Sequence, residues 1–133
     1  MDLRHKKRIE IVQQLYAYFF YPNQKNHFNK KTLEIIKYQK NINKYINKFS
    51  LKFKVEKIAK IDLAILQLAI YELLIEKKEP HKVIINEAVE LAKEFGSQKS
   101  YAFVNAILGK VCLFIPETPY KSDKSVNMKK SEN

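Results

Sequence analysis

The stretch from Lys60 to Val111, KIDLAILQLAIYELLIEKKEPHKVIINEAVELAKEFGSQKSYAFVNAILGKV, does most to limit the folds open to this chain. Apolar residues recur through it at three- and four-residue intervals, so three helices follow one another with hardly a residue between them. Periodicity alone specifies only a helical bundle. The polar intrusions are more selective: Glu72 follows Ile70-Tyr71, Asn86-Glu87 follow Ile84-Ile85, and Asn105 follows Phe103-Val104. Asn is a poor helix former because its side chain competes for backbone hydrogen bonds. Two such residues inside apolar runs need a reason.

The same period extends upstream. A first helix is expected over about Leu3 to Tyr21, with Ile9, Val12, Tyr16, Phe19 and Phe20 inward and Pro22-Asn23 as its stop. After a Lys/Asn-rich loop, the segment 28–49 repeats Leu33, Ile36, Ile42, Tyr45, Ile46 and Phe49, as one long helix or two shorter ones. A helix from near Val55 to about Lys77 is expected to bury Ile58, Ile61, Ile65, Leu68, Ala69 and Leu73, and Pro80 forbids its continuation. The next runs from about Lys82 to Phe95, with Ile85, Ala88, Val89 and Ala92 on its inner face. Gly96 then reads as a left-handed helix stop, and Ser97 as the cap of a last helix carrying Tyr101, Val104, Leu108 and Val111. Beyond Pro116 and Pro119 the period lapses. One all-α domain over 1–116 and a polar, disordered tail over 117–133 are therefore expected.

Cys112, the single cysteine, excludes an internal disulfide and fits a reducing, cytoplasmic compartment; beside Val111, Leu113 and Phe114 it reads as a buried thiol. The apolar run after Arg8 is broken by Glu10, Gln13 and Gln14, unlike a signal peptide, and Asp62, Gln67 and Glu72 interrupt the only stretch apolar enough to suggest a membrane span. The net charge of +11 points to an anionic partner. It needs discounting, because 23 Lys stand beside 15 Ile and ten Asn, all residues of A/T-only codons. Arg4 and Arg8, the only arginines, run against that bias and say more.

No catalytic constellation is visible, and no enzyme is expected. His5, His27 and His81 are far apart with no cysteine cluster, so no metal site is expected, and no glycine-rich loop is present to cradle a cofactor. Glu87, Glu90 and Glu94 alternate with Lys93 and read as a solvated, salt-bridged face. Binding has better support. Arg4, His5, Lys6, Lys7 and Arg8 place cations at the positive end of a helix dipole, at a cost of roughly 0.3–1 kcal/mol each when exposed. An anionic ligand such as a phosphate backbone would offset that cost; a frayed basic terminus without a role is the alternative. Around Gly96, Phe95, Lys99 and Phe103 combine rings with a cation, as a stacking platform for unpaired bases does, although either ring taken alone reads as core rather than platform. Tyr16 reads as core or rim.

The segment INEAVELAKEFG at Ile85–Gly96, then Ser100 and FVNAIL at Phe103–Leu108, closely resembles the bacterial transcription antitermination factor family NusB. IDLAILQLAIYELL upstream and the basic cluster followed by VQQLY at Val12–Tyr16 agree with it, so the resemblance covers most of residues 4–111 and is weakest between Pro22 and Lys54. It implies an all-helical fold of two small packed bundles. It also implies a factor that binds the single-stranded boxA element of nascent rRNA as a heterodimer with the small-subunit ribosomal protein NusE. The pair joins the RNA polymerase elongation complex with other Nus factors; some relatives self-associate, so a homodimer is a further implied state. By the same resemblance Arg4, His5, Lys6, Lys7, Arg8, Phe95, Lys99 and Phe103 are expected at RNA, and Asp62 and Tyr16 at the protein partner. Three departures stand out: Lys and His where relatives favour Arg at the N-terminus, Gln67 where Arg is common, and Lys99 where an acid occurs. Asn86 is expected to tie the last two helices together, and Asn105 is open between structure and ligand. Two other classes compete: a stand-alone relative of the accessory domain of an rRNA cytosine methyltransferase, and a protein adaptor that touches no RNA.

Overall fold

A computed structural model of the chain describes residues 2–116, so the expected tail over 117–133 lies outside the described residues. Six α-helices make up the fold: α1 (Leu3–Phe20), α2 (Lys30–Lys37), α3 (Gln39–Phe49), α4 (Lys60–Tyr71), α5 (His81–Phe95) and α6 (Ser100–Leu113). The segment 28–49 is thus two helices, jointed at Tyr38, whose N–H still reaches the Glu34 and Ile35 carbonyls. The helix expected from Val55 is broken into a 3₁₀ turn at Val55–Lys57, α4, and a π-helical turn at Glu72–Glu76 that ends on Lys77 with φ 54°.

Helix α4 is the axis. Every residue from Asp62 to Tyr71 is buried, because α1, α2, α3, α5 and α6 all pack against it, α2 also meeting α1 and α3, and α5 meeting α6. That arrangement makes two small bundles sharing a central helix. A helix apolar on all sides must be surrounded, and here the neighbours are Ile11, Val12 and Leu15 of α1, Ile35 of α2, Ile42 and Ile46 of α3, Leu91 of α5, and Val104 and Leu108 of α6. Connections draw on side chains for caps. The Gln14 carbonyl of α1 accepts the Asn29 N–H at 2.9 Å and the Thr32 hydroxyl at 2.7 Å, serving an orphan donor at the start of α2. Among the described residues no helix is long and apolar enough to cross a membrane.

Helix α1 is rotated from its expected phase. Its buried stripe is Arg8, Ile11, Val12 and Leu15, while Tyr16 and Phe20 are exposed. The 8/11/12/15 spacing follows the helical repeat as well as the expected one, but it places a cation inside, which pattern reading discards. In α5 the inner face is likewise Ile84, Ala88, Leu91 and Ala92, with Ile85 and Val89 at its margin. In α6 Tyr101 is exposed and Ile107 takes an inner place beside Val104, Leu108 and Val111. Cys112 is half-buried rather than enclosed.

Candidate nucleic-acid interface

Asp2 caps α1, its carboxylate accepting the Arg4 N–H at 3.1 Å, and so partly offsets the cations of the first turns. What those cations meet is a row of glutamates. Arg8 reaches Glu72 through two hydrogen bonds, Nε to Oε2 at 2.9 Å and Nη2 to Oε1 at 2.8 Å. Further contacts run to Glu79 at 3.2 Å and Glu87 at 3.4 Å. The Lys31 ammonium joins from α2, 3.0 Å from Glu76 and 3.4 Å from Glu72. Arg4 lies 3.5 Å from Glu79. His5 is held at both ring nitrogens, Nδ1 to Glu87 and Nε2 to Glu94, each at 2.8 Å.

This arrangement sorts the five basic residues. Arg8 is buried; desolvation works against its charge, but the hydrogen bonds and charge of Glu72, with Glu79 and Glu87, outweigh it and raise its pKa. Where the sequence reading expects an RNA contact, the Arg8 fork is already filled by a carboxylate of the same chain. His5 is half-buried, its pKa raised by the hydrogen bonds to Glu87 and then Glu94, against a smaller lowering from burial. Glu87 and Glu94 therefore clamp α1; Glu94 remains exposed, as do Glu90 and Lys93, 3.7 Å apart, so that of the expected solvated, salt-bridged face only Glu87 is withdrawn. Arg4, Lys6 and Lys7 face solvent. Lys7 lines a cleft of about 360 Å³ with Arg4, Lys30 and Lys31, opposed by Glu10 and Glu79.

The second candidate patch is built by the α5–α6 turn. Gly96 has φ −96° and ψ −171°, extended rather than the expected left-handed conformation. Its glycine requirement is spatial: a Cβ would lie 2.4 Å from Ser100 Oγ, 2.5 Å from Ser100 Cβ and 2.8 Å from the Ala92 carbonyl. Ser100 earns that close approach, since its Oγ accepts the Ser97 N–H at 2.9 Å while Ser97 Oγ accepts the Lys99 N–H at 3.3 Å. The two serines thus tie the turn together just ahead of α6. Beneath it lies Asp62, whose carboxylate also accepts from Ser100. Asp62 is 7% exposed, its Oδ1 meets no donor among the described residues, and burial raises its pKa against the lowering by Ser100. Asp62, expected at the protein partner, is thus enclosed beneath the turn.

The clamp brings the two patches together. His5 grips Glu94, the neighbour of Phe95, so the start of α1 lies beside the α5–α6 turn. Phe95 is 39% exposed and Lys99 is exposed. Tyr101 is 45% exposed with the Lys93 ammonium 5.4 Å from its ring centre. Phe103 is half-buried and turns away toward Phe53, edge to ring at 6.4 Å. Asn86 and Asn105 are both exposed, and neither side chain makes a hydrogen bond among the described residues, so Asn86 does not tie α5 to α6.

Tyr16 and Phe20 form an exposed pair on α1, ring centres 5.2 Å apart. Gln67, fully buried, is held by other amides: Gln39 donates to it at 3.1 Å and it donates to Asn43 at 2.9 Å. The residues that pattern reading missed are thus Glu72, Phe20 and Tyr101. A signal for Glu72 was present, because an acid inside an apolar run is costly to bury unless it is paired.

The comparisons with known proteins agree with one another. The NusB family model matches residues 4–112. The transcription antitermination protein NusB of Acetivibrio thermocellus is 51% identical over 77 residues, 58% of this chain and 53% of that protein. That of Agathobacter rectalis is 42% identical over 87 residues, 65% of this chain and 66% of that protein. The chain therefore spans about half to two-thirds of the length of these relatives. A solved structure of T. maritima NusB superposes with a TM-score of 0.74 at 27% identity, covering 89% of this chain and 94% of that one. With the helices, the central α4 and the matched segment in agreement, the chain belongs to the NusB family.

Proposed function

We propose that this chain is an RNA-binding transcription antitermination factor that takes the boxA element of nascent rRNA together with the ribosomal protein NusE. The single observation that carries the reading is the His5–Glu94 contact, which sets the exposed lysines of α1 beside a turn bearing an exposed ring and a cation. Lys6 and Lys7 supply phosphate contacts, with Arg4 sharing its charge between RNA and Glu79. Phe95 and Lys99 receive unpaired bases and the backbone beside them, stacking being worth ~1–3 kcal/mol per base. Phe103 acts from behind this surface, and Arg8 and His5 hold α1 in place. The Tyr16–Phe20 pair offers NusE an apolar contact, with Asp62 contributing by bracing the turn. The heterodimer then joins the cytoplasmic RNA polymerase elongation complex with other Nus factors.

The experiment is an anisotropy titration of boxA-like and scrambled single-stranded RNA, with and without NusE. Preference for boxA is expected, tightened by the partner by about 5- to 150-fold, the usual range of such coupling. Equal affinity for the two RNAs would remove the boxA reading. Equal affinity with and without saturating NusE would remove the heterodimer.

A further inference from the structure

Among the described residues, the basic N-terminus is largely compensated, and a second cluster of cations is not. Five glutamates are folded against Arg4, His5, Arg8 and Lys31. By contrast, residues 39–60 carry seven lysines and one acid, Glu56. Lys40, Lys44 and Lys48 recur every fourth residue, opposite the buried Ile42, Ile46 and Phe49 of α3, and so form one exposed stripe. Lys52 continues it into the loop. Among the described residues no carboxylate pairs with any of these four. Four ammonium groups on one edge repel each other, and codon bias does not place them in helical register.

Rings interleave with this charge. Lys48 sits 5.4 Å from the centre of Phe49 and 5.3 Å from that of Phe114, and Lys52 sits 5.5 Å from Phe53. Phe114 is 64% exposed and Phe53 is 41% exposed. Phe53 in turn meets Phe103 of α6, the helix that opens at Lys99. The stripe is therefore continuous, through two rings, with the back of the α5–α6 turn.

We infer that the α3 stripe and Phe53 form a second single-stranded RNA surface, engaged by nucleotides flanking the element held at α1 and the α5–α6 turn. The inference rests on the RNA-binding reading above. Lysines act as point charges without bidentate selectivity, and ring stacking tolerates any base, so this surface adds affinity and length dependence rather than sequence choice.

The test compares a short boxA-like RNA with the same element extended by about ten nucleotides on each side, on the scale of single-strand sites. Wild type should bind the extended RNA more tightly. The K44Q/K48Q/K52Q variant should lose that advantage and flatten its slope of log K against log salt by about 2, while binding the short RNA as before. Phe53→Ala should cost about fivefold or more on the extended RNA alone. If the extended RNA binds no more tightly and the triple variant changes nothing, this inference fails while the boxA reading stands. If wild type binds neither RNA, both fail. If the triple variant matters but Phe53→Ala does not, and duplex RNA competes as well as single strands, the stripe is a general polyanion surface and the inference is overturned.

Discussion

The buried pair between Arg8 and Glu72 makes the sharpest demand on the structure. Arg8→Met keeps most of the aliphatic stem but removes the charge, leaving the Glu72 carboxylate enclosed with its side chain 3% exposed. Breaking one partner of a buried pair typically costs ~3–5 kcal/mol. Here the low end is expected. Lys31 remains 3.4 Å from Glu72, while Glu79 and Glu87, with side chains 18% and 26% exposed, can turn to water. A loss of roughly 3 kcal/mol corresponds to a fall in Tm of about 10 °C for a domain of this size. Removing both charges, R8M/E72L, should restore most of it, because an apolar replacement of a buried pair is often neutral or better. Urea denaturation followed by far-ultraviolet circular dichroism gives the double-mutant cycle directly. The folded Arg8→Met protein should also keep the wild-type salt dependence of RNA binding, whereas Lys6→Gln and Lys7→Gln should each flatten the slope by about 0.7. A change of less than about 0.5 kcal/mol in Arg8→Met, or additive single effects, would refute the buried-pair argument. A flattened salt slope would return Arg8 to the RNA surface.

Three further outcomes follow from single contacts. The His5 pKa is raised in the folded chain, so its contribution to stability is full below the unfolded value of about 6.5 and is lost as pH rises through the folded pKa; His5→Gln should flatten that decline in thermal melts, and a wild-type curve level above pH 6.5 would refute the clamp. Gly96→Ala should destabilise by about 1–3 kcal/mol, as overpacking does, and Ser100→Gly should recover part of it; a neutral Gly96→Ala in urea melts would mean the turn opens freely. Because burial raises the Asp62 pKa, its ionised form costs stability at neutral pH and the cost fades as pH falls through the folded value. Asp62→Asn should therefore be at least as stable as wild type at pH 7, and a loss confined to neutral pH would show an unrecognised cation partner.

Much of the fold was legible because helices advertise themselves by period. Pro80 and the Gly96-Ser97 turn marked where the last three helices separate, and the INEAVELAKEFG and FVNAIL segments marked the family. Residue content alone also bounded the chemistry: three dispersed histidines and one cysteine in 133 residues offer no obvious metal or nucleophilic cluster. Where period was ambiguous the reading slipped, and α1 shows why. Two stripes fit its sequence equally, and the one containing Arg8 is inner only because Glu72, 64 residues later in the chain, waits there with both oxygens. Arg8 and Lys7 are neighbours of equal charge in sequence, yet one is buried in an ion pair and the other faces solvent. Likewise Gly96 is required by the approach of Ser100, which Asp62 of another helix secures, and not by a backbone angle. Sequence determines how much charge a chain carries and which stretches coil; whether a given charge is compensated depends on what folding brings to within about 4 Å of it, where electrostatic attraction offsets part of the cost of leaving water. That separation is set by tertiary packing alone.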